Sequence, residues 1–385
     1  MPLQLADLAE LAIFGGEPAF AEPRHVGRPN IGDPERVLSL ISGVIRSRWL
    51  TNDGPLVDEF EARVAELAGV EHCVAVSSGT MGLQLAAVAL GFSGEVIMPS
   101  FTFIGTAHAM RWVGLTPVFC EVDLDTHTLD PAAVERAITP ATGGIIGVHL
   151  WGRAGHAERL VAIARAHRLP LLFDAAQALG CTTGLGGSEV LSFHATKVAN
   201  AAEGGAVLTR DSALAERLRR MRNFGFVDYD TVGMLGTNAK MSELSAAMGI
   251  ASLESLPEFI DANRRNHRRY ADELAGVSGV KLVDYDAHHN FHYVVLEVPP
   301  GLRDDLVAVL QAENILARRY FHPGCHRHEP YRATAGCLPA TEALCARVVT
   351  LPSGTTMSED DVSRACSVIG LAVERADELQ HRLRG

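Results

Sequence analysis

Short apolar runs alternate with longer amphipathic stretches over much of the chain. Apolar runs with the length of short strands occur at residues 73–76, 96–98, 117–122, 145–150 and 171–173. Between them, apolar residues recur at helical spacing in the segments 81–90, 105–113, 131–138 and 157–168. Strands that alternate with helices of this length predict an α/β fold with a mostly parallel sheet. Ligands of such sheets bind at the carboxyl ends of the strands, so the loops that follow the strands are the first places to search for chemistry.

The pattern changes in the last third of the chain. Residues 241–256 are strongly helical, Pro257 interrupts the pattern, and a second helix is predicted from about residue 258 to residue 274. Short strand-like pieces and more helix follow. We therefore expect a large domain at residues 1–250 and a smaller C-terminal domain at residues 251–385.

Composition excludes several classes of protein. The 385 residues are 47% hydrophobic and carry a net charge of −12, which argues against a partner such as a nucleic acid that is bound through a bulk positive field. The seven cysteines are scattered, as is typical of reduced thiols. The N-terminus lacks the basic run of a secretory leader, and no uninterrupted apolar stretch of about 18 residues is present to span a membrane. We expect a cytoplasmic protein.

Lysine is rare in this sequence. Only Lys197, Lys240 and Lys281 occur among the 34 basic residues, and the others are arginine. Lys197 lies between an apolar strand and a glycine-rich return, where desolvation can lower the pKa of an amine and make it an imine-forming nucleophile. The alternative is a solvated surface lysine. Arginine cannot act as an amine nucleophile. Because the chain uses arginine at almost all other basic positions, the presence of lysine at position 197 favours a chemical role.

Three other loops after predicted strands carry polar or aromatic groups. Residues 77–80 (Ser-Ser-Gly-Thr) open a helix, where free N–H groups suit a phosphate, although Ser and Thr also serve as plain helix caps. Asp174 ends a very apolar strand, either as a counter-ion for a protonated ring nitrogen or as the cap of the next helix, with Gln177 three residues on. Residues 101–103 (Phe-Thr-Phe) offer an aromatic ring that could stack on a planar ligand or lie in the core. Phosphate turn, acid, amine and aromatic together fit pyridoxal 5'-phosphate.

The sequence resembles the DegT/DnrJ/EryC1/StrS sugar aminotransferases. The resemblance runs almost end to end, from residues 49–55 (Trp-Leu-Thr-Asn-Asp-Gly-Pro) to residues 351–354 (Leu-Pro-Ser-Gly). It implies a fold-type-I pyridoxal-phosphate-dependent transferase, with a mostly parallel seven-stranded sheet and a smaller C-terminal α+β domain. It also implies a sugar nucleotide aminotransferase, in which Lys197 is the Schiff-base lysine and Asp174 is the partner of the pyridine nitrogen.

The same resemblance implies the other site residues. Those expected to contact the cofactor are Gln177 near the ring hydroxyl, Phe103 on the ring face, and Gly79, Thr80, Met81 and Ser192 at the phosphate. Asn238 matches an asparagine that comes from the neighbouring subunit, which implies a homodimer with shared active sites. Lys240 stands where many relatives have arginine, and it is a candidate substrate contact together with Tyr320 and His322.

Two short motifs favour amination at C4 of the sugar. Residues 192–194 (Ser-Phe-His) and 203–205 (Glu-Gly-Gly) resemble those of enzymes that form dTDP-4-amino-4,6-dideoxyglucose in natural-product deoxysugar biosynthesis, whereas C3 enzymes tend towards Ser-Phe-Tyr and Asp-Gly-Gly. We therefore expect a dTDP-4-keto-6-deoxyhexose as acceptor and glutamate as amino donor. The alternatives are a C3 aminotransferase and a non-catalytic pyridoxal-phosphate-binding regulatory protein. No metal is expected, because the histidines near residue 325 lack a ligand spacing.

Overall fold

The computed structural model describes residues 6–181, 186–333 and 336–384. The strands of these residues, in chain order, are β1 (Arg24–His25), β2 (His72–Val76), β3 (Ser93–Pro99), β4 (Thr116–Cys120), β5 (Thr142–Val148), β6 (Leu171–Asp174), β7 (Ser188–Ser192), β8 (Gly205–Thr209), β9 (Lys281–Leu282), β10 (Val294–Glu297), β11 (Ile315–Leu316) and β12 (Val348–Leu351).

The helices connect these strands and cover the sheets. In chain order they are α1 (Pro34–Ser47), α2 (Pro55–Ala68), α3 (Gly79–Ala89), α4 (Ile104–Trp112), α5 (Pro131–Ala137), α6 (Ala157–His167), α7 (Ser212–Arg222), α8 (Glu243–Glu254), α9 (Leu256–Leu274), α10 (Arg303–Ala312), α11 (Pro339–Cys345), α12 (Glu359–Glu374) and α13 (Ala376–Arg384). Short 3-10 turns occur at Leu8–Glu10, Ala12–Phe14, Leu150–Gly152 and Cys325–Arg327.

The prediction of a mostly parallel seven-stranded sheet is confirmed. Its strand order is β2-β8-β7-β6-β5-β3-β4. The pairs from β7 to β4 are parallel, whereas β8 runs antiparallel to both β7 and β2. The strand that follows the glycine-rich return therefore lies between β2 and β7 and brings the loops after these two strands together.

Apolar residues on both faces of the sheet build the core. Ile145 and Ile146, neighbours in β5, enter two different clusters, because successive side chains of a strand point to opposite faces. Helices α3, α4 and α7 cover one face, and α2, α5, α6 and α8 cover the other. A sheet covered on both sides explains why its strands read as continuous apolar runs in the sequence.

A second core lies around a small antiparallel sheet of order β12-β10-β9. Leu8, Leu11 and Phe20 of the N-terminal segment join this core, and β1 pairs with β11. The N-terminal residues thus pack with the C-terminal ones, although we expected them in the domain 1–250. The boundary near residue 250 stays a prediction.

The helices around Pro257 differ slightly from the expected bounds. We expected a helix over residues 241–256, and α8 runs from Glu243 to Glu254 because Ser242 caps it by accepting a hydrogen bond from the N–H of Ser245. Pro257 lies in the first turn of α9, where its missing N–H removes no helical hydrogen bond. Of the helices among the described residues, none is long and apolar enough to cross a membrane.

Candidate active site

A cavity of about 420 Å³ opens at the carboxyl edge of the large sheet. Eight of the residues predicted for the site line it: Gly79, Thr80, Phe103, Asp174, Gln177, Ser192, Lys197 and Tyr320. The sheet order explains this convergence, because β2, β3, β6 and β7 all have their carboxyl ends at the same edge and the loops that follow them begin there. Met81, Asn238, Lys240 and His322 are not among the lining residues.

The turn before α3 has the geometry of an anion cradle. Ser78 Oγ caps the helix by accepting a hydrogen bond of 3.2 Å from the N–H of Met81. The N–H groups of Gly79 and Thr80 stand in the first turn, where a helix supplies no carbonyl partner. A Cβ on Gly79 would lie 3.1 Å from the Cβ of Ser192, so glycine lets β7 approach this turn closely. The helix end and Ser192 can therefore hold a phosphate together.

Asp174 is a buried carboxylate at the floor of the cavity, 7% exposed. Thr106 Oγ1 donates a hydrogen bond of 2.7 Å to Asp174 Oδ2, and the N–H of Ala176 donates one of 3.1 Å to Oδ1. These two hydrogen bonds give each oxygen of the buried carboxylate a donor. A buried carboxylate without a cation of its own favours a positively charged ring nitrogen in the cavity.

Gln177 is held in one orientation. Its Oε1 accepts a hydrogen bond of 2.6 Å from the backbone N–H of Trp151. The amide Nε2 is therefore the group left to face a ligand, and it can donate to a ring hydroxyl.

Lys197 follows β7 and presents its amine to the cavity. Among the described residues, no hydrogen bond or ion pair of its Nζ is found. Burial lowers the pKa of Lys197 below its ordinary value of 10.5, while the charges of Asp174 and Tyr320 oppose this shift. An unpaired amine of lowered pKa across the cavity from a buried acid suits reaction with an aldehyde.

Aromatic rings form the mouth and one wall of the cavity. Phe103 precedes α4 and is 61% exposed, so it lies at the mouth and is not part of the core. A Cβ on Gly105 would lie 2.9 Å from the Phe103 ring, so the ring sits directly over that glycine. Tyr320 packs against Phe321 with ring centroids 5.0 Å apart. A planar ligand can thus stack on Phe103 while the wall limits the space beside it.

The residues of the two short sequence motifs also meet at the cavity. His194 and Glu203 both line it, with Nε2 of His194 3.5 Å from Oε1 of Glu203. The N–H of Thr196 donates to His194 Nδ1 at 3.3 Å, which leaves the ring proton on Nε2, facing the carboxylate. His194 and Glu203 are nine positions apart in the sequence, but β7 and β8 pair antiparallel and bring the two motifs together.

The predicted residues outside the cavity have other partners. Lys240 Nζ donates to Asn223 Oδ1 at 3.0 Å and lies 4.7 Å from the centre of the Phe224 ring. Asn238 is exposed and pairs with Asn223 in a short backbone bridge. His322 Nδ1 lies 3.2 Å from an Arg303 guanidinium nitrogen.

Sequence reasoning missed several residues of the site. Thr106, His149, Tyr293 and Phe321 line the cavity. Thr106 lies one turn into α4, so its position near the expected aromatic could have revealed it. Tyr293 and Phe321 come from the C-terminal part, and no local pattern signals that they reach this edge of the sheet. Within the described ranges, no group of three or more metal-ligating side chains is close enough to hold an ion.

A reactive amine facing a buried acid, beside an anion cradle at the edge of a parallel sheet, defines an α/β enzyme built for pyridoxal phosphate. The chain belongs to the DegT/DnrJ/EryC1/StrS aminotransferase family, which residues 33–370 match. Enzymes of this family are pyridoxal-phosphate-dependent, so this protein is a sugar aminotransferase that uses that cofactor. The expectations for family, fold class and cofactor are confirmed.

Curated relatives cover nearly the whole chain. A dTDP-4-amino-4,6-dideoxy-D-glucose transaminase from Shigella dysenteriae is 33% identical over 361 residues, 90% of this chain and 98% of its own length. A UDP-N-acetyl-3-dehydro-alpha-D-glucosamine 3-aminotransferase from Acidithiobacillus ferrooxidans is 35% identical over 349 residues, 84% of this chain and 94% of its own length. Among solved structures, DesI in the presence of its TDP-sugar product is 50% identical, with a TM-score of 0.95 over 98% of this chain and 100% of the other.

Proposed function

We propose that the protein transfers an amino group from glutamate to the C4 keto group of a dTDP-4-keto-6-deoxyhexose. The likeness to DesI, half of whose residues are identical, supports this most strongly, since that protein's product is a TDP-sugar. The 33% identical transaminase from Shigella dysenteriae acts on a 4-amino sugar and points to the same carbon. A relative of similar identity is named a 3-aminotransferase, so the choice of C4 over C3 is part of the proposal.

The residues of the cavity fit the cofactor and divide its binding among them. When bound, pyridoxal phosphate supplies an aldehyde that takes up the amino group and a ring that withdraws electrons. The turn at Gly79 and Thr80 binds the phosphate, Gln177 orients the ring hydroxyl, and Phe103 covers the ring face. Asp174 holds a proton on the ring nitrogen, because a buried carboxylate favours a positive charge beside it.

Lys197 is the general base and acid of the proposed reaction. With the cofactor bound, its amine would take the proton from the donor Cα and deliver it to the cofactor carbon that carried the aldehyde. The lowered pKa keeps more of the amine unprotonated at neutral pH than an exposed lysine would have. The reverse sequence of proton transfers then delivers the amino group to the keto sugar.

The pair of His194 and Glu203 supports the choice of C4. Their side chains are 46% and 66% exposed, and a contact between polar groups this exposed contributes only about 0–1 kcal/mol to stability. Both groups are therefore free to bind sugar hydroxyls at the mouth of the cavity. C3 enzymes tend to have tyrosine and aspartate at these positions. A phenol hydroxyl would replace the imidazole, and the carboxylate would stand on a side chain one methylene shorter.

The direct test is to identify the product. Incubation with glutamate and dTDP-4-keto-6-deoxyglucose is expected to give a 4-amino-4,6-dideoxy sugar nucleotide, which NMR assigns by the proton coupled to the amine-bearing carbon. A 3-keto sugar nucleotide is the matched control and should remain unconverted. Conversion of the 3-keto sugar nucleotide with no conversion of the 4-keto one would overturn the proposed position.

The non-catalytic alternative has its own test. A regulatory protein that merely binds the cofactor would show no change in the cofactor absorbance when glutamate is added. An aminotransferase converts the aldehyde form to the amine form within the first half of its cycle, which shifts the absorbance maximum to shorter wavelength. The unpaired amine of Lys197 and the buried Asp174 favour the enzyme.

A homodimer with shared active sites is part of the proposal. Asn238 is exposed and does not line the cavity of its own chain. Apolar side chains are also exposed on and after α1: Leu38, Ile45, Trp49 and Leu50 are each about half exposed. Exposed apolar groups of this kind are typical of a surface that another chain covers.

Mixing two inactive variants tests the sharing. If Asn238 serves the partner's site, a dimer of one Lys197→Ala chain and one Asn238→Ala chain has one intact site and one doubly defective site. Random mixing should then restore about a quarter of the wild-type activity. Activity no higher than that of the separate variants would show that each chain builds its site alone, and light scattering checks that dimers form.

A further inference from the structure

A buried hydrogen-bond chain lies beside the cavity and joins distant parts of the sequence. Ser100 Oγ, just after β3, lies 2.6 Å from His326 Nδ1, and His326 Nε2 lies 3.0 Å from Glu342 Oε1 on α11. Ser100 and His326 are fully buried. None of the three lines the cavity, so they do not touch the reacting atoms.

The donors and acceptors of this chain pair completely. The Glu342 carboxylate can only accept, so Nε2 of the neutral His326 ring carries the proton and Nδ1 accepts from the Ser100 hydroxyl, whose Oγ also accepts the backbone N–H of His326 at 3.0 Å. Nε2–H then donates to Glu342, which also accepts a hydrogen bond of 3.0 Å from Arg327 Nε. The bond from His326, together with that from Arg327, lowers the pKa of Glu342.

The hydrogen-bond chain fixes one end of a short segment, residues 319–325. At its start, Arg318 and Thr350 exchange two backbone hydrogen bonds of 3.0 and 2.8 Å. At its end, the N–H of Cys325 donates to the carbonyl of Ser100 at 2.9 Å. Gly324 makes the close approach possible, because a Cβ there would lie 3.0 Å from His326 Nδ1.

This segment carries the aromatic wall of the cavity, Tyr320 and Phe321. The Phe321 ring stacks on Trp151 with centroids 5.5 Å apart and planes 15° apart. The backbone N–H of Trp151 is the group that holds Gln177 Oε1. That bond comes from the backbone and not from the indole ring, so a shift of the segment would move the wall and leave Gln177 in place.

We propose that Ser100, His326 and Glu342 are positioning residues that hold Tyr320 and Phe321 in place as the wall against which the sugar of the nucleotide-sugar substrate binds. This rests on the proposed function. The amino donor is much smaller than a sugar nucleotide and reaches Lys197 without needing the wall. The two half-reactions should therefore respond differently when the hydrogen-bond chain is broken.

Kinetics of the two half-reactions test this difference. Ser100→Ala and His326→Gln are expected to raise KM for the sugar nucleotide about tenfold, as loss of one or two buried hydrogen bonds would. The rate at which glutamate alone converts the cofactor absorbance should change by no more than about twofold. His328→Ala is the matched control, because this exposed histidine lies two residues after His326 and outside the segment 319–325, and its loss should leave both values unchanged.

A measurement on the apoprotein makes the test independent of activity. Trp151 is fully buried, whereas Trp49 and Trp112 are 50% and 81% exposed. With Trp49→Phe and Trp112→Phe in place, fluorescence reports Trp151 alone. Ser100→Ala should then raise the quenching of Trp151 by acrylamide, and His328→Ala should not.

Each outcome bears on one proposal. Equal loss of both half-reactions in folded variants, or unchanged sugar KM with unchanged quenching, would overturn the positioning role. Failure of wild-type protein to aminate any 4-keto sugar nucleotide would overturn the proposed function, while the quenching of Trp151 would still decide whether the hydrogen-bond chain holds the wall. A variant that fails to fold is recognised by its melting curve, and Ser100→Ala, which loses only a hydroxyl, is the milder of the two.

Discussion

Replacement of Lys197 with alanine is expected to reduce amino transfer by a factor of about 10⁴ or more. The change removes the only amine in the cavity among the described residues, and with it the general base and acid, whose contribution alone is about 10²–10⁴-fold. The measurement is the steady-state rate with glutamate and the keto sugar. Borohydride trapping followed by peptide mass spectrometry should find the cofactor on Lys197 in wild-type protein.

Lys197→Arg is the matched control for charge. It keeps a cation in the cavity, but a guanidinium stays protonated at all accessible pH values and forms no imine, so this variant should be as inactive as the alanine variant. A cofactor adduct on Lys240 or Lys281, or substantial activity in either variant, would contradict the assignment.

The rate at which the apoprotein takes up pyridoxal phosphate should depend on pH in a defined direction. Burial lowers the pKa of Lys197, so the fraction of unprotonated amine rises as the pH increases and becomes large below the ordinary lysine value of 10.5. The uptake rate should therefore increase with pH and reach its plateau at a lower pH than the reaction of an exposed lysine does.

Replacement of Asp174 with asparagine is expected to reduce turnover by about 10²–10³-fold, the effect of removing one preorganised electrostatic contact at a reacting group. Asparagine keeps the shape but has a single amide oxygen, so it can accept from Thr106 or from the N–H of Ala176 and not from both; the loss reports the negative charge together with one hydrogen bond. The charge of Asp174 also raises the pKa of Lys197, and its removal should shift the uptake profile to lower pH.

Thr106→Val is the companion variant. It removes one hydrogen bond to a charged group, worth about 1.5–3 kcal/mol, and should reduce turnover by one to two orders of magnitude at most. An Asp174→Asn protein with near wild-type turnover would exclude the proposed role of the carboxylate.

Much of the large sheet could be predicted from the sequence because its helices and strands are locally encoded. Strands buried on both faces read as apolar runs, and the parallel arrangement places the loops after them at one edge. Asp174 stood out because a charged residue directly after the run 171–173 is costly unless it has a partner. Lys197 stood out because lysine is rare in this chain.

Other features depend on contacts between distant residues and left no local signal. We expected the fourth strand to span residues 145–150, and β5 runs from Thr142 to Val148 because Gly143 and Gly144 carry no apolar side chain to mark its start. The packing of Leu8 and Leu11 into the C-terminal core and the arrival of Phe321 at the cavity are likewise long-range events.

The position of β8 has a consequence for how the chain folds during synthesis. β2 pairs only with β8 in the sheet, although more than 120 residues separate them, and Gly205 of β8 approaches the turn at Gly79. Contacts across so long a separation form late, because loop closure must precede them. A ribosome-bound chain that has not yet passed Thr209 therefore lacks the finished phosphate cradle, and we expect cofactor capture to follow, not guide, the folding of the large sheet.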